Sequence, residues 1–142
     1  MRELIAHAAT LGVTVHVAHL PAPYRGFYDA EQRRVVYGFD LTPIERISVL
    51  AHELGHAFYD HRCKDDPGAE AAADLYAARL LIAPEAYAAA AAVYPHAHGI
   101  AEELGVEERL VEVFEARVLT RFGERTYSHS RMGAGQYVHA WG

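Results

Sequence analysis

Cysteine is almost missing from this chain. Cys63 is the single example, so no intramolecular disulfide can form and a small, disulfide-stapled secreted design is excluded. Long apolar runs are missing too: the alanines around positions 88–92 fall far short of the roughly 18 residues that a membrane-spanning helix needs. The opening MRELIAHAATLG carries Glu3 and His7 where a secretory leader needs unbroken apolar sequence. Basic charge is scarce as well. Lys and Arg number 13 against 19 Asp and Glu, for a net charge of −6, and this balance opposes a broad electrostatic hold on nucleic acid or anionic membrane. These absences lead us to expect a cytoplasmic chain with no membrane partner and no direct nucleic-acid partner, acting on proteins or peptides.

What is present suits one globular domain, 1–142, of α+β class. At 142 residues, with 51% of them hydrophobic, the chain can bury a core of its own. Segment 1–41 reads as a helix and a small sheet. Leu4, Ile5, Ala8 and Leu11 recur at helical spacing before Gly12. Val13, Val15 and Val17 then alternate with polar neighbours as in a strand, and RGFYDAEQRRVVYGF reads as two strands around a turn near Asp29 to Gln32. About three strands are expected, with RVVYGF offering a free edge to an extended peptide.

Helices follow from Leu41. In LTPIE, Thr42 caps, Pro43 opens the helix and Glu45 completes a capping box; this helix is expected to reach about Asp60. Asp66 and Pro67 repeat the logic for a helix that ends near Ala83, before Pro84. Pro84 opens another, to about Tyr94, so that 42–94 forms a block of helices. Segment 99–123 reads as a helix pair turning at Gly105, and 124–142, with its three glycines, as a loosely held C-terminal arm.

The chemistry concentrates in SVLAHELGHAFYDH, where His52, Glu53 and His56 read H-E-x-x-H. With ten histidines in the chain the pattern alone is only a hypothesis, and its surroundings must decide. On a helix, His52 and His56 lie one above the other and can present both imidazoles to one ion. Glu53 is rotated by about 100° and reaches the open side, where a general base is needed. A catalytic zinc takes three protein ligands and keeps one open position. Downstream candidates for the third are His61, Cys63, Asp65, Asp66, Glu70 and Asp74. A histidine ten positions after the first is ruled out, because that residue is Arg62. A continuing helix would turn His61 away from the pair, and His61 and Cys63 read as surface and packing residues. Glu70 fits better: EAAAD sets Glu70 and Asp74 four apart on the next helix, with small residues between them that permit close packing.

HExxH followed by ExxxD resembles the gluzincin metallopeptidases. More closely, VLAHELGHAFYDH followed by EAAADLYAARLLIAP is similar to the ImmA/IrrE family of small metallopeptidases, most specifically over residues 44–84. The resemblance implies Zn²⁺ bound by His52, His56 and Glu70, with Glu53 as the catalytic base and Asp74 orienting the first histidine. It also implies a protein substrate, a helix-turn-helix repressor that the enzyme cleaves or inactivates in phages, mobile elements and stress responses. Two alternatives stay open. One is a zinc-containing regulatory module that binds its repressor without cutting it. The other is a DNA-binding regulator built on IAEELGVEERLVEVF, which has the small-residue and Gly-Val placing of a helix-turn-helix. There Glu102, Glu103, Glu107, Glu108, Glu112 and Glu115 outnumber Arg109, Arg117 and Arg121, and that balance repels phosphate.

Overall fold

The computed structural model describes residues 1–62 and 66–119, which fall into two compact units, one of Met1–Ala77 and one beginning at Ala78. The architecture is α+β: a three-stranded sheet and a series of helices. No described helix is long and apolar enough to cross a membrane. The C-terminal arm expected over 124–142 lies outside the described residues.

In the first unit, α1 (Arg2–Thr10) buries Leu4 and Ala8 and leads through Gly12, at φ +74°, into β1 (Thr14–Ala18). β2 (Gly26–Asp29) and β3 (Arg34–Gly38) form an antiparallel hairpin in which Phe27 faces Val36. Its turn is held by Asp29 Oδ1, which accepts from the Gln32 backbone N–H at 3.1 Å. β1 lies parallel to β3 on the other side, with Val15 opposite Val35, giving the order β1-β3-β2. This corrects the expectation for RVVYGF: β3 is the central strand and has no free edge. The reason is topological. A hairpin alone would leave β3 open on one side, and β1, distant in sequence, closes it. Among the described residues the free edges belong to β1 and β2. Val17, which alternates with Val13 and Val15, is 50% exposed; the next helix covers β2 and β3 while β1 meets α1.

That helix, α2 (Pro43–Tyr59), starts as its sequence dictates. Thr42 Oγ1 accepts from Glu45 N–H at 3.2 Å and Glu45 Oε1 accepts from Thr42 N–H at 2.9 Å. Leu50 and Leu54 are fully buried, and Val49 joins Tyr37 and Leu41 in a cluster flanked by Met1 and Val15. Gly26 of β2 passes so close to α2 that a Cβ there would stand 2.7 Å from Val49 Cγ1 and 3.4 Å from Glu53 Cγ.

Helix α3 (Pro67–Leu81) opens on Asp66, whose Oδ1 accepts from Gly68 N–H at 2.9 Å. Ala69, Ala73 and Ala77 form its buried stripe, and the crossing with α2 falls at Gly55, where an added Cβ would lie 2.9 Å from both Cα and carbonyl O of Ala73. Only a residue without a Cβ allows this approach.

The second unit contains α4 (Pro84–Ala91), α5 (Ala97–Leu104), α6 (Glu108–Val113) and a π-helical stretch, Phe114–Leu119, that continues α6. The α5–α6 turn is at Gly105, φ +73°, as its sequence suggests. α5 begins two residues before the expected 99, with His96 at its N-cap. Ile100, Val106, Leu110, Val111 and Phe114 are buried within this unit.

Two outcomes are expected in denaturant melts. Thr42→Ala removes an acceptor from the start of α2 and should cost about 1 kcal/mol. Gly55→Ala gains helix propensity but drives a methyl group into backbone atoms that cannot rotate away, so a net loss of about 1–2 kcal/mol is expected.

Candidate metal centre

The two histidines come from one helix and the acid from another. One turn of α2 separates His52 from His56, and their rings meet edge to face with centroids 4.8 Å apart. Their Nε2 atoms point the same way, 3.2 Å from each other. Across the α2–α3 crossing, Glu70 in the first turn of α3 reaches over both: Oε1 is 3.0 Å from His52 Nε2 and Oε2 is 3.0 Å from His56 Nε2. The candidate ligand atoms of these three residues all lie within 4.8 Å of one another.

This donor set fits a tetrahedral metal ion. Ligand atoms about 2.0–2.1 Å from a zinc ion stand roughly 3.3 Å from each other, close to the separations found. The chemistry also suits, since two imidazole nitrogens and a carboxylate oxygen are ordinary ligands for such an ion. The histidine side chains are 12% exposed and that of Glu70 is 50% exposed, so the cluster is open to solvent on the Glu70 side.

Asp74, one turn beyond Glu70, places Oδ1 2.8 Å from His52 Nδ1. The carboxylate accepts the Nδ1 proton, which leaves the Nε2 lone pair directed at the cluster. Burial by itself lowers the His52 pKa, but the Asp74 bond and the charges of Glu53, Asp74 and Glu70 outweigh it, so the pKa is raised. His56 goes the other way: burial and the neighbouring His52 charge hold its pKa below the ordinary value.

Glu53 is 8% exposed, rare for a carboxylate. Burial drives its pKa up to about 7, with the Glu70 charge adding to the rise and His52 opposing it. A carboxyl group tuned there can take a proton and give it back near neutral pH.

The structure corrects the expectation for His61. α2 stops at Tyr59 because Asp60 is left-handed, at φ 55° and ψ 47°. The chain folds back, Asp60 N–H donates to Ala57 O and His61 N–H to His56 O, the Schellman pattern. His61 Nδ1 thereby comes within 2.9 Å of His56 Nδ1, on the side of that ring away from Glu70. A signal was present in the sequence, since Asp is among the few residues that tolerate a left-handed stop, but an uninterrupted helix had hidden its consequence. Asp66 caps α3; Cys63 and Asp65 lie outside the described residues.

Comparison with known proteins agrees with this geometry. No curated protein matches the chain. Residues 8–114, which include the sheet, the H-E-x-x-H helix and the acidic helix, match the model of the peptidase M78 family, described as the IrrE N-terminal-like domain. With most of its length accounted for in this way, the chain belongs to that metallopeptidase family.

Proposed function

We propose that this protein is a cytoplasmic zinc-dependent endopeptidase whose substrate is a helix-turn-helix repressor, cut or inactivated to release transcription. The observation that carries the reading is the meeting of His52 Nε2, His56 Nε2 and the Glu70 carboxylate beside the buried Glu53. The substrate class follows from the family likeness, and the compartment from the lone cysteine.

His52, His56 and Glu70 would hold the ion. Bound zinc supplies Lewis acidity, which polarises a peptide carbonyl and makes water easier to deprotonate. Glu53 accepts a proton from the attacking water as its oxygen bonds to the carbonyl carbon. It then returns that proton to the amine nitrogen as the C–N bond breaks, so the carboxylate ends as it began. Asp74 keeps the His52 proton on Nδ1 throughout. The outer edge of β2, unpaired among the described residues, supports an extended peptide as substrate, since Gly26 on that strand lies against Glu53 and main-chain pairing along such an edge would carry a scissile bond past the carboxylate.

Elemental analysis of protein purified without added metal should find about one zinc per chain. Glu70→Ala should lose it, whereas Cys63→Ser should keep it. Asp74→Ala should weaken zinc affinity by about ten- to a hundredfold, measured against a competing chelator. Less than about a tenth of an equivalent in wild type, not recovered on zinc titration, would remove the metal from the proposal.

Glu53→Gln separates an enzyme from a binder, because it keeps size and helix while removing basicity. We expect normal zinc content and cleavage of a partner repressor slowed at least about a hundredfold. If variant and wild type release the repressor's operator equally, with the repressor intact by mass spectrometry, the protein is a non-catalytic regulatory module.

A further inference from the structure

We infer that His61 is a positioning residue for His56, fixing its tautomer and ring orientation so that Nε2 stays on the metal side; this rests on the metal-centre reading above. The argument begins with an asymmetry between the two histidines of α2. His52 has Asp74 behind it. His56 has no carboxylate within bonding distance of its Nδ1 among the described residues; the group behind it is the His61 ring, Nδ1 to Nδ1 at 2.9 Å. A histidine that ligates a metal through Nε2 needs an acceptor for its Nδ1 proton, and that acceptor sets both tautomer and orientation.

Only one proton can lie between the two Nδ1 atoms. When the His56 Nε2 lone pair is given to an ion shared with Glu70, whose Oε2 stands 3.0 Å away, the proton belongs on His56 Nδ1, which donates to the lone pair of His61 Nδ1. His61 then carries its own proton on Nε2. Histidine is an uncommon acceptor in this role, and the fold explains how it serves. The left-handed turn at Asp60 ties His61 N–H to the carbonyl of His56 itself, at 2.9 Å. Backbone and side chain of His61 therefore both bond to the same residue. In a Schellman motif the side chains at these two positions commonly touch through an apolar contact; here a ring-to-ring hydrogen bond replaces it. The His61 ring is stacked on Tyr59, centroids 5.3 Å apart and planes 20° from parallel, which restrains the acceptor. Asp60 is held in turn by the Tyr28 hydroxyl, which donates at 2.8 Å, and by Arg62 at 2.8 Å. His61 lies outside the set of converging ligand atoms, so its action is on His56 and not on the ion.

Three substitutions test this on the full chain. His61→Phe keeps a ring against Tyr59 without an acceptor, His61→Ala removes both, and His61→Asn keeps an acceptor, Oδ1, near the position of Nδ1. Zinc affinity is measured by competition with a chromophoric chelator, and site geometry by the visible absorption of the Co²⁺-loaded protein; circular dichroism and melting temperature report folding. We expect His61→Phe and His61→Ala to bind zinc about ten- to a hundredfold more weakly than wild type. His61→Asn should restore affinity to within about threefold of wild type and keep its Co²⁺ spectrum. Equal affinities in all four proteins overturn the inference while leaving the metal centre in place. Equal weakening in all three variants, with no rescue by Asn, reduces His61 to a packing residue. A Co²⁺ spectrum in His61→Ala that shows a lost nitrogen ligand makes His61 a ligand and overturns the inference as well. Failure of wild type to bind any metal defeats the metal-centre reading itself, a result distinct from the other three.

Discussion

The close approach of α2 and α3 at Gly55 and Ala73 is the constraint on which the rest of the site depends. A Cβ at Gly55 would fall 2.9 Å from the Ala73 backbone, so the two helices touch main chain to main chain at that point. Glu70 sits about one turn before the contact on α3, and Asp74 directly follows Ala73. Short side chains could not bridge helices at the usual 8–10 Å separation with much to spare, and bonds of 2.8 and 3.0 Å from Asp74 and Glu70 to His52 require the backbones to be near. The alanine stripe of α3 and the glycine of H-E-L-G-H are thus as much a part of the metal centre as the donors themselves.

Burial then divides the carboxylates by task. Glu70 is half exposed and Glu53 almost fully buried, although both act on His52. The exposed Glu70 carboxylate is open to an ion and to solvent, whereas desolvation under β2 raises Glu53 to a pKa of about 7. The β2–α2 contact at Gly26 supplies part of that burial. The sheet therefore contributes to the chemistry of Glu53 as well as offering an edge to a substrate.

The end of α2 shows a third use of local geometry. Asp60 adopts a conformation that costs a non-glycine residue some strain, and bonds from Tyr28 and Arg62 offset it. The consequence is a reversal of the chain directly behind His56. A helix that ended one residue later would aim His61 elsewhere.

Much of this could be read directly from the residues. The H-E-x-x-H pair needs only the 3.6-residue period to share a face, and Thr42, Glu45, Asp66 and Pro67 mark their helix starts through bonds to nearby backbone, so these features are local and legible. The strand and helix patterns also sufficed for the α+β class, and the motif's surroundings for the family. Whatever joins distant segments was decided by the tertiary structure. β1 closes the edge of β3 that the hairpin alone would leave free, Val17 falls where no described helix covers it, and the α2–α3 crossing determines how Glu70 and Asp74 meet the histidines. His61 turned on a single backbone torsion at Asp60, which the sequence permits and which contacts to Tyr28 and Arg62 hold in place. Periodicity reports which residues of one element share a face; only packing between elements determines what that face meets.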